Sequence, residues 1–332
     1  MKHGGDLSEA IARFGGAPES WLDLSTGINP RPYPVPEKFP AQSWQRLPDR
    51  TSELHLIEAA REAYNVPAGV GIAPAAGTQA LIQILPHVMT GGAVAIAGPT
   101  YSEHAAAFAR AGRKVISAGL DALPSGVTHA VVVNPNNPDG RITPRETIAG
   151  AARQLDKFGG ALIIDEAFAD VAPECSVVDL CCDLPIIVLR SFGKFHGLAG
   201  LRLGFAIARA DIAAEIAAAL GPWPVSGPAL LIGCSALSDR QWSETTRAQL
   251  NEQAGKLDAA LRSCGLDVIG GTSLFRLARH RDAQAIHAHL ASRQIWTRNF
   301  DHAGDLLRFG LPPDDAALQR LTAALTSRSM AR

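Results

Sequence analysis

The sequence predicts an α/β protein in which a mostly parallel central sheet with flanking helices is joined to a smaller α+β domain at the C-terminal side. Three observations predict this fold. Short apolar strands alternate with helical segments between about residues 46 and 235. Three of these strands are separated by the length of a strand-helix-strand unit. The chain of 332 residues also exceeds one ordinary core, which favours two domains.

The chain divides into three predicted ranges. Residues 1–45 contain five closely spaced prolines, which indicates an extended N-terminal arm rather than an independent domain. Residues 46–235 should form the large domain, and residues 236–332 the small C-terminal domain with strands at Leu266–Ile269 and Ser273–Leu277. Because such an arm does not bury itself, we expect it to dock on a second copy, which predicts a homodimer.

Lys194 lies in a turn of small residues directly after a predicted buried strand. The run Leu184–Leu189 is short, continuous and apolar, as is typical of a fully buried strand. Ser191 and Lys194 follow its carboxyl end, where open α/β sheets bind ligands. A partly desolvated amine near a second cation, here Arg202, has a lowered pKa and becomes nucleophilic toward an aldehyde. Lys194 is therefore a candidate Schiff-base lysine, whereas without this surrounding pattern a surface lysine would be the better interpretation.

Two earlier predicted strands bring polar side chains to the same sheet edge. Thr128–Val133 leads into a turn that contains Asn137, and Gly160–Ile164 leads into Asp165. Asp165 is 28 residues from Asn137 and 29 from Lys194. Burial of a carboxylate after an apolar strand is costly unless a cation pairs with it. A protonated pyridine ring would supply that cation, and the ion pair would keep the ring able to accept electrons.

A phosphate site is predicted at the start of a buried helix over Ala80–Leu85. Gly77 and Thr78 directly precede this segment and would form its first turn. Free backbone N–H groups and the positive end of the helix dipole favour an anion there. Ser191 and Arg202 would complete this phosphate-binding cradle. An ordinary helix N-cap uses the same residue types, so this motif is informative only together with the other two.

Together these segments resemble the pyridoxal-5'-phosphate enzymes of the aspartate aminotransferase fold, the type I group, over nearly the whole chain. The resemblance implies that Lys194 binds the cofactor aldehyde, that Asp165 pairs with the ring nitrogen and that Asn137 hydrogen-bonds the ring hydroxyl. It further implies that Tyr101 stacks on the ring and that Arg308 binds the substrate carboxylate. The implied phosphate ligands are Gly77, Thr78, Ser191 and Arg202.

Within that group the chain is similar to the histidinol-phosphate aminotransferases and, more closely, to the threonine-phosphate decarboxylase family of cobalamin biosynthesis. The segments that carry this narrower resemblance are His3–Asp6, Trp21–Pro30, Pro99–His104, Ser191–His196 and Ile295–Arg298. Each of them alone has an equally good structural explanation as a turn or as core. The implied substrate-binding residues are His3, Gly27, Asn29, Arg298 and Arg308.

The narrower resemblance implies decarboxylation of a small phosphorylated amino acid, L-threonine O-3-phosphate, to (R)-1-amino-2-propanol O-2-phosphate. The bond that breaks at the α carbon is the one held perpendicular to the conjugated ring system, and a sequence supplies binding groups but not angles. Two alternatives therefore stay open. One is an aminotransferase acting on histidinol phosphate or a related phosphorylated amine. The other is a non-catalytic regulator that retains the cofactor, which is disfavoured because the sequence shows no helix-turn-helix segment before this domain.

Three positions depart from the pattern of these relatives. Phe168 stands where many have tyrosine, so Asn137 must carry more of the polarisation of the cofactor's ring oxygen. Leu47 stands where relatives have a tyrosine that reaches the partner subunit's cofactor phosphate. Gly193 replaces a frequent hydroxyl residue just before the lysine. We therefore expect the cofactor to be anchored differently in detail from that of these relatives.

Composition indicates which partners to exclude. The formal net charge is −1 and no basic run is present, so we expect no nucleic-acid partner. No apolar run reaches about 18 residues and the start has no apolar signal segment, so we expect a cytoplasmic protein without a membrane partner. The five cysteines show no Cys-x-x-Cys spacing and the ten histidines no His-Glu-x-x-His pattern, which predicts reduced thiols and no metal.

Overall fold

The protein structure, a computed structural model, describes residues 4–329, and the side chains of residues 4–327. The chain forms two compact units. The large unit comprises Tyr33–Asn137 and Arg141–Ser243, and the small unit lies within Met1–Pro32, Pro138–Gly140 and Glu244–Arg332. These boundaries differ from the predicted ranges, because the described residues up to Pro32 group with the C-terminal part of the chain.

The described residues form twelve strands and twelve α-helices, joined by turns, loops and short 3-10 helices. The strands are β1 Leu22–Leu24, β2 Val70–Ala75, β3 Ala93–Ile96, β4 Val115–Ser117, β5 Val127–Val133, β6 Leu162–Asp165, β7 Ile186–Ser191, β8 Gly204–Arg209, β9 Asp267–Thr272, β10 Phe275–Arg279, β11 Ile295–Asn299 and β12 Leu306–Gly310. The helices are α1 Ser8–Phe14, α2 Gln42–Gln45, α3 Arg50–Ala63, α4 Thr78–Val88, α5 Glu103–Arg110, α6 Arg145–Asp156, α7 Phe192–Phe195, α8 Ala210–Leu220, α9 Gly227–Ser238, α10 Arg240–Ser263, α11 Ala283–Ala291 and α12 Asp315–Ser329.

The large unit contains a seven-stranded sheet in the order β2-β8-β7-β6-β5-β3-β4. Strands β4, β3, β5, β6 and β7 pair in parallel, and β8 pairs antiparallel to both of its neighbours. The three strands that carry the predicted site residues, β5, β6 and β7, are therefore adjacent and parallel. Their carboxyl ends lie at one edge of the sheet, as the sequence predicts.

Helices cover both faces of this sheet, because the apolar runs within its central strands place apolar side chains on both faces. Ile163 packs in the cluster that includes Leu81 of α4, whereas the next residue, Ile164, packs in the cluster that includes Ile148 of α6. All four of these side chains are fully buried. The unbroken apolar runs are thus explained by burial on two sides.

The small unit contains a five-stranded sheet in the order β1-β11-β12-β10-β9. Strand β1 pairs in parallel with β11, and the other neighbours are antiparallel. Helix α10 is tied to this sheet by a bidentate ion pair in which Arg276 of β10 donates to Asp258 at 2.6 and 2.8 Å.

The N-terminal segment departs from the expectation of an arm that buries little of itself. Leu22 and Leu24 of β1 are buried in the small unit, and Trp21 contacts Trp296 edge to face with ring centroids 6.2 Å apart. Three residues of strand with one parallel partner suffice to bury this part of the chain in its own small unit. The expectation that the arm does not bury itself is therefore wrong for residues 21–24, whereas its docking on a second copy stays a prediction.

Three features of the described part of the chain bear on partners and cofactors. None of its helices is long and apolar enough to cross a membrane. No group of three His, Cys, Asp or Glu side chains there is placed to hold a metal ion. All five cysteines are free thiols.

Candidate active site

Four predicted phosphate ligands lie together at the edge of the large-unit sheet. Gly204 at the start of β8 is in register with Ser191 of β7 on one side and with Ala75 of β2 on the other. A Cβ atom at Gly204 would lie only 2.7 Å from the backbone nitrogen of Thr78, so the first turn of α4 abuts this strand. A Cβ atom at Gly77 would lie 2.6 Å from Nη2 of Arg202. The helix start, the Ser191 position and the guanidinium therefore converge.

The backbone of this cradle is in unusual conformations at two positions. Gly77 caps the amino end of α4 with a φ of 83°, which glycine adopts without steric cost. Arg202 has a φ of 55°, in the left-handed region that a side chain of its size disfavours. A non-glycine residue held in this region is a frequent mark of a functional site, because the surrounding structure must hold it there. The free N–H groups of the helix start and the arginine together suit a phosphate dianion.

Asp165 ends β6 as a buried carboxylate with a buried partner. Its Oδ2 accepts a hydrogen bond from Nε2 of His104 on α5 at 2.8 Å, and its Oδ1 accepts one from the N–H of Ala167 at 3.0 Å. His104 is 1% exposed and Asp165 is 3% exposed. These contacts fix the carboxylate in one orientation. The sequence predicts that Asp165 needs a cation, and His104 is a residue whose role it did not identify.

Tyr101 and Asn137 lie on the turns that surround this carboxylate. Tyr101 meets the ring of His104 edge to face with centroids 6.2 Å apart, and its hydroxyl donates to Oε1 of Gln79 at 3.2 Å. Asn137 is half-buried and directly follows the fully buried Asn136, whose Oδ1 accepts from Thr100 at 2.6 Å. Hydrogen bonds between the two turns thus hold the segments that carry Tyr101 and Asn137.

Lys194 is held on the short helix α7 by buried neighbours on both sides. Phe192 and His196 stack with ring centroids 4.1 Å apart, and Trp242 stacks on the other face of His196 at 5.5 Å. The half-buried Lys194 carries its Nζ 5.8 Å from the ring centroid of Phe168. The backbone around the lysine is therefore packed, while its amine faces an aromatic ring.

The three departures from the relatives' pattern have different structural settings. A Cβ atom at Gly193 would lie 2.7 Å from the Cα of Ala199, so a hydroxyl residue cannot fit here without moving the following turn. Phe168 is buried and faces Lys194, where it offers a ring surface rather than a hydroxyl. Leu47 is 65% exposed. Its side chain offers an apolar surface where relatives offer a donor.

The small unit brings two predicted substrate ligands together. Arg298 of β11 and Arg308 of β12 are directly opposite each other in an antiparallel pair. Arg308 is buried, and its Nη2 donates to the backbone oxygen of Ser25 at 2.7 Å. Burial and the charge of Arg298 lower the pKa of Arg308 to about 10. Like charges placed opposite each other are unfavourable, so this arrangement favours an anionic ligand.

The remaining predicted substrate ligands lie on the loop that follows β1. Gly27 and Asn29 are buried, and Oδ1 of Asn29 accepts from the N–H of Arg31 at 2.9 Å. This hydrogen bond gives Asn29 a role in its own turn in addition to the predicted contact with a substrate. His3, predicted as a substrate ligand, lies outside the described residues.

The donor set of the large unit fits pyridoxal 5'-phosphate on chemical grounds. A helix start with an arginine beside it suits the phosphate, a buried carboxylate suits a protonated ring nitrogen, and a packed lysine suits the aldehyde. The glycine cradle supports this fit independently, because side chains at Gly77 or Gly204 would fill the space beside the helix start.

Sequence reasoning missed a second group of residues beneath this edge. Arg190 is buried and pairs with two buried carboxylates, Glu166 and Asp170. A signal was available, because an arginine directly after Ile186–Leu189 in a predicted buried strand requires a buried anion.

The chain is similar in sequence to one protein family and to two named enzymes. The family model for class I and II aminotransferases matches residues 38–325. The chain is 48% identical to a threonine-phosphate decarboxylase from Sinorhizobium sp. over 327 residues, which cover 97% of each chain. It is 43% identical to the threonine-phosphate decarboxylase of Pseudomonas aeruginosa over 330 residues, 98% of this chain and 97% of that one.

A solved structure confirms the predicted fold. The histidinol-phosphate aminotransferase of Sinorhizobium meliloti, in complex with pyridoxal-5'-phosphate, superposes with a TM-score of 0.83 over 98% of this chain and 95% of that one. Its sequence identity of 20% makes this a likeness of fold alone. The predicted type I resemblance is confirmed by these comparisons together.

Proposed function

Because the chain belongs to the class I and II aminotransferase family, we propose that it is a pyridoxal-5'-phosphate-dependent enzyme that decarboxylates L-threonine O-3-phosphate. The observation that carries the proposal is the near full-length likeness to the Sinorhizobium threonine-phosphate decarboxylase. The facing pair Arg298 and Arg308 supports it, because this substrate carries two anionic groups, a carboxylate and a phosphate.

In this proposal the large unit holds the cofactor and handles the proton. The bound cofactor supplies an electron sink for the bond that breaks at the α carbon. Asp165, oriented by His104, would hold a proton on the ring nitrogen of the cofactor. Its phosphate would be bound by Gly77, Thr78, Ser191 and Arg202, while Tyr101 would stack on the ring and Asn137 would donate to the ring oxygen. The Lys194 amine delivers the proton that replaces the lost carboxylate, so that the products are carbon dioxide and an amino-alcohol phosphate.

The small unit binds and orients the substrate. Arg308 binds the substrate carboxylate and Arg298 its phosphate, with Gly27 and Asn29 as further contacts and His3 as a proposed ligand outside the described residues. A bidentate arginine contact fixes the direction of a planar carboxylate as well as its position.

Product analysis tests the proposal directly. Purified protein loaded with pyridoxal 5'-phosphate is incubated with L-threonine O-3-phosphate, and the products are identified by mass spectrometry. We expect carbon dioxide and 1-amino-2-propanol O-2-phosphate in equal amounts. A keto acid with formation of pyridoxamine phosphate would make the protein an aminotransferase instead. An unchanged substrate together with an unchanged visible band would favour the non-catalytic regulator.

Arg298→Ala should weaken use of L-threonine O-3-phosphate far more than it weakens cofactor retention. Loss of a charge-assisted bidentate contact in a water-excluded site costs on the order of 2 to 4 kcal/mol, which is roughly a 30- to 1,000-fold fall in kcat/KM. Steady-state kinetics and the dissociation constant of pyridoxal 5'-phosphate measure the two effects separately.

A matched control for this variant is Arg279→Ala on β10, since Arg279 is an exposed arginine of the same unit that pairs with Asp305. It should keep wild-type kinetics. The unaltered protein should also use free L-threonine poorly. Equal kcat/KM for L-threonine and its phosphate would remove the phosphate-binding role from the proposal.

We further propose that the protein is a homodimer in the cytoplasm. Trp44, Leu47 and Leu54 are 69%, 65% and 51% exposed, and all three lie in the short stretch of the large unit from α2 into α3. Large exposed apolar residues grouped in this way are typical of a surface covered by another subunit. Sedimentation equilibrium should give twice the mass of one chain. The five free thiols support a reducing compartment.

A further inference from the structure

A buried ion cluster lies behind the strand ends that carry Asp165 and Ser191. We define the cluster as Glu166, Asp170 and Arg190, which are 0%, 5% and 3% exposed. Because side chains alternate along a strand, Glu166 points away from the face of Asp165, and Arg190 away from the face of Ser191. The cluster therefore occupies the opposite face of the sheet from the proposed cofactor site.

The side chains of the cluster are joined to each other and to their neighbours by short hydrogen bonds. Arg190 donates to Oε2 of Glu166 at 2.7 Å and to Oδ1 of Asp170 at 2.6 Å. Its guanidinium carbon lies 4.3 Å from the ring centroid of Tyr64. Glu166 also accepts from the hydroxyl of Ser176 at 2.7 Å and the N–H of Val177 at 2.8 Å. Both carboxylate oxygens of Glu166 are thus held in place.

Stability alone does not account for the burial of three ionisable side chains. Taking ions out of water is costly, and replacing a buried ion pair by apolar residues of similar volume is often neutral or stabilising. The cluster here also holds two carboxylates for one arginine, which makes its burial less favourable still. Buried charges of this kind impose a specific geometry, since each partner is strongly penalised when it leaves its position.

The geometry that the cluster imposes is the spacing between two strand ends. The N–H of Glu166 donates to the backbone oxygen of Leu189 at 2.9 Å, which extends the β6–β7 pairing by one residue. The ion pair between Glu166 and Arg190 then joins the same two strand ends through their side chains. Asp165 directly precedes Glu166, and α7 with Lys194 begins two residues after Arg190.

We propose that Glu166 and Arg190 are positioning residues that hold the carboxylate of Asp165 and the amine of Lys194 in fixed relation to each other. The inference rests on the proposed function, in which Asp165 would pair with the ring nitrogen of the cofactor and Lys194 would bind its aldehyde. Neither Glu166 nor Arg190 touches substrate or cofactor in this assignment. They act through the backbone of the strands that they join.

The test replaces the whole cluster at nearly constant volume. The triple variant Glu166→Gln, Asp170→Asn, Arg190→Met leaves no charge behind, whereas Arg190→Met alone would leave two buried carboxylates without a counter-charge. The first readout needs no substrate. The visible absorbance band of the protein loaded with pyridoxal 5'-phosphate is titrated with pH, and we expect its midpoint to shift by more than about half a pH unit because the charges around the cofactor move.

The second readout separates positioning from binding. With L-threonine O-3-phosphate, kcat should fall by about 10- to 100-fold while KM changes little, because small displacements of reacting groups are costly at this scale. Leu155→Ala in α6 is the matched control, since Leu155 is fully buried in the same unit and is not one of the proposed catalytic or cofactor-binding residues. It should lower the melting temperature and leave the midpoint and kcat unchanged.

A triple variant with the wild-type midpoint and kcat would overturn the proposal and leave the cluster a purely structural role. Should the triple variant fail to fold, Glu166→Gln alone takes its place, because it removes one charge and keeps the hydrogen-bonding shape. The same unchanged values in that variant would equally overturn the proposal. Because the midpoint is measured without substrate, this readout tests the positioning role whichever reaction the enzyme catalyses.

Discussion

Lys194→Ala should abolish turnover, with a fall in kcat of at least about 10⁴-fold, while the protein keeps its fold. The amine is the only group on α7 that can bond covalently to an aldehyde, and the helix is held by Phe192, Phe195 and His196 rather than by the lysine. Kinetics measure the loss. Borohydride reduction followed by peptide mass spectrometry measures the covalent link, which should map to Lys194 in the wild type and be absent from the variant.

Two further variants make this result specific. Lys194→Arg keeps a positive charge but has no nucleophilic amine, so it should be as inactive as the alanine variant. Lys157→Ala removes an exposed lysine beyond α6 in the same unit and should retain wild-type turnover. A Lys194→Ala protein with normal turnover would refute the assignment of this residue.

Asp165→Asn should reduce kcat by about 10²- to 10³-fold, equivalent to roughly 3 to 4 kcal/mol of barrier. Asparagine fits the space and keeps a hydrogen bond to His104, but as a neutral group it does not hold a proton on the ring nitrogen. The variant should still bind pyridoxal 5'-phosphate through Lys194. Steady-state kinetics and the visible spectrum measure the two properties.

Asp179→Asn is the control for the aspartate. Asp179 is an exposed partner of Arg145 in the same unit, and its loss removes only a surface ion pair. It should leave kcat unchanged. If Asp165→Asn retained more than about a tenth of the wild-type rate, a barrier change below roughly 1.4 kcal/mol, the ring-nitrogen role of Asp165 would be wrong.

The sheet edge was predictable because the local sequence pattern is sufficient to identify its strands. Strands β5, β6 and β7 contain the apolar runs 130–133, 162–164 and 186–189, and each run is followed at once by a polar side chain. Parallel strands of this kind are buried on both faces, so the order of the runs fixed which residues share an edge. Gly77 and Thr78 were predictable for the same reason, since a small-residue turn precedes an apolar helix.

The partners of these residues were not predictable, because they depend on packing between distant segments. Nothing local indicates that His104 on α5 meets Asp165, or that Asp170 in a turn meets Arg190. The strand β1 is only three residues long. The proline-rich sequence on its C-terminal side dominates the local pattern, which therefore predicts an extended segment rather than a strand. Its pairing with β11 is a tertiary effect that residue types alone do not specify.

The facing arginines of the small unit have a practical consequence. At neutral pH both are charged, and the lowered pKa of Arg308 means that its proton is held less tightly in the fold than in an unfolded chain. Folding therefore becomes more favourable as the pH rises through about 10, or when an anion neutralises the repulsion at lower pH. Inorganic phosphate or sulfate in a storage buffer should accordingly protect this protein from heat and, in the same tube, compete with its substrate.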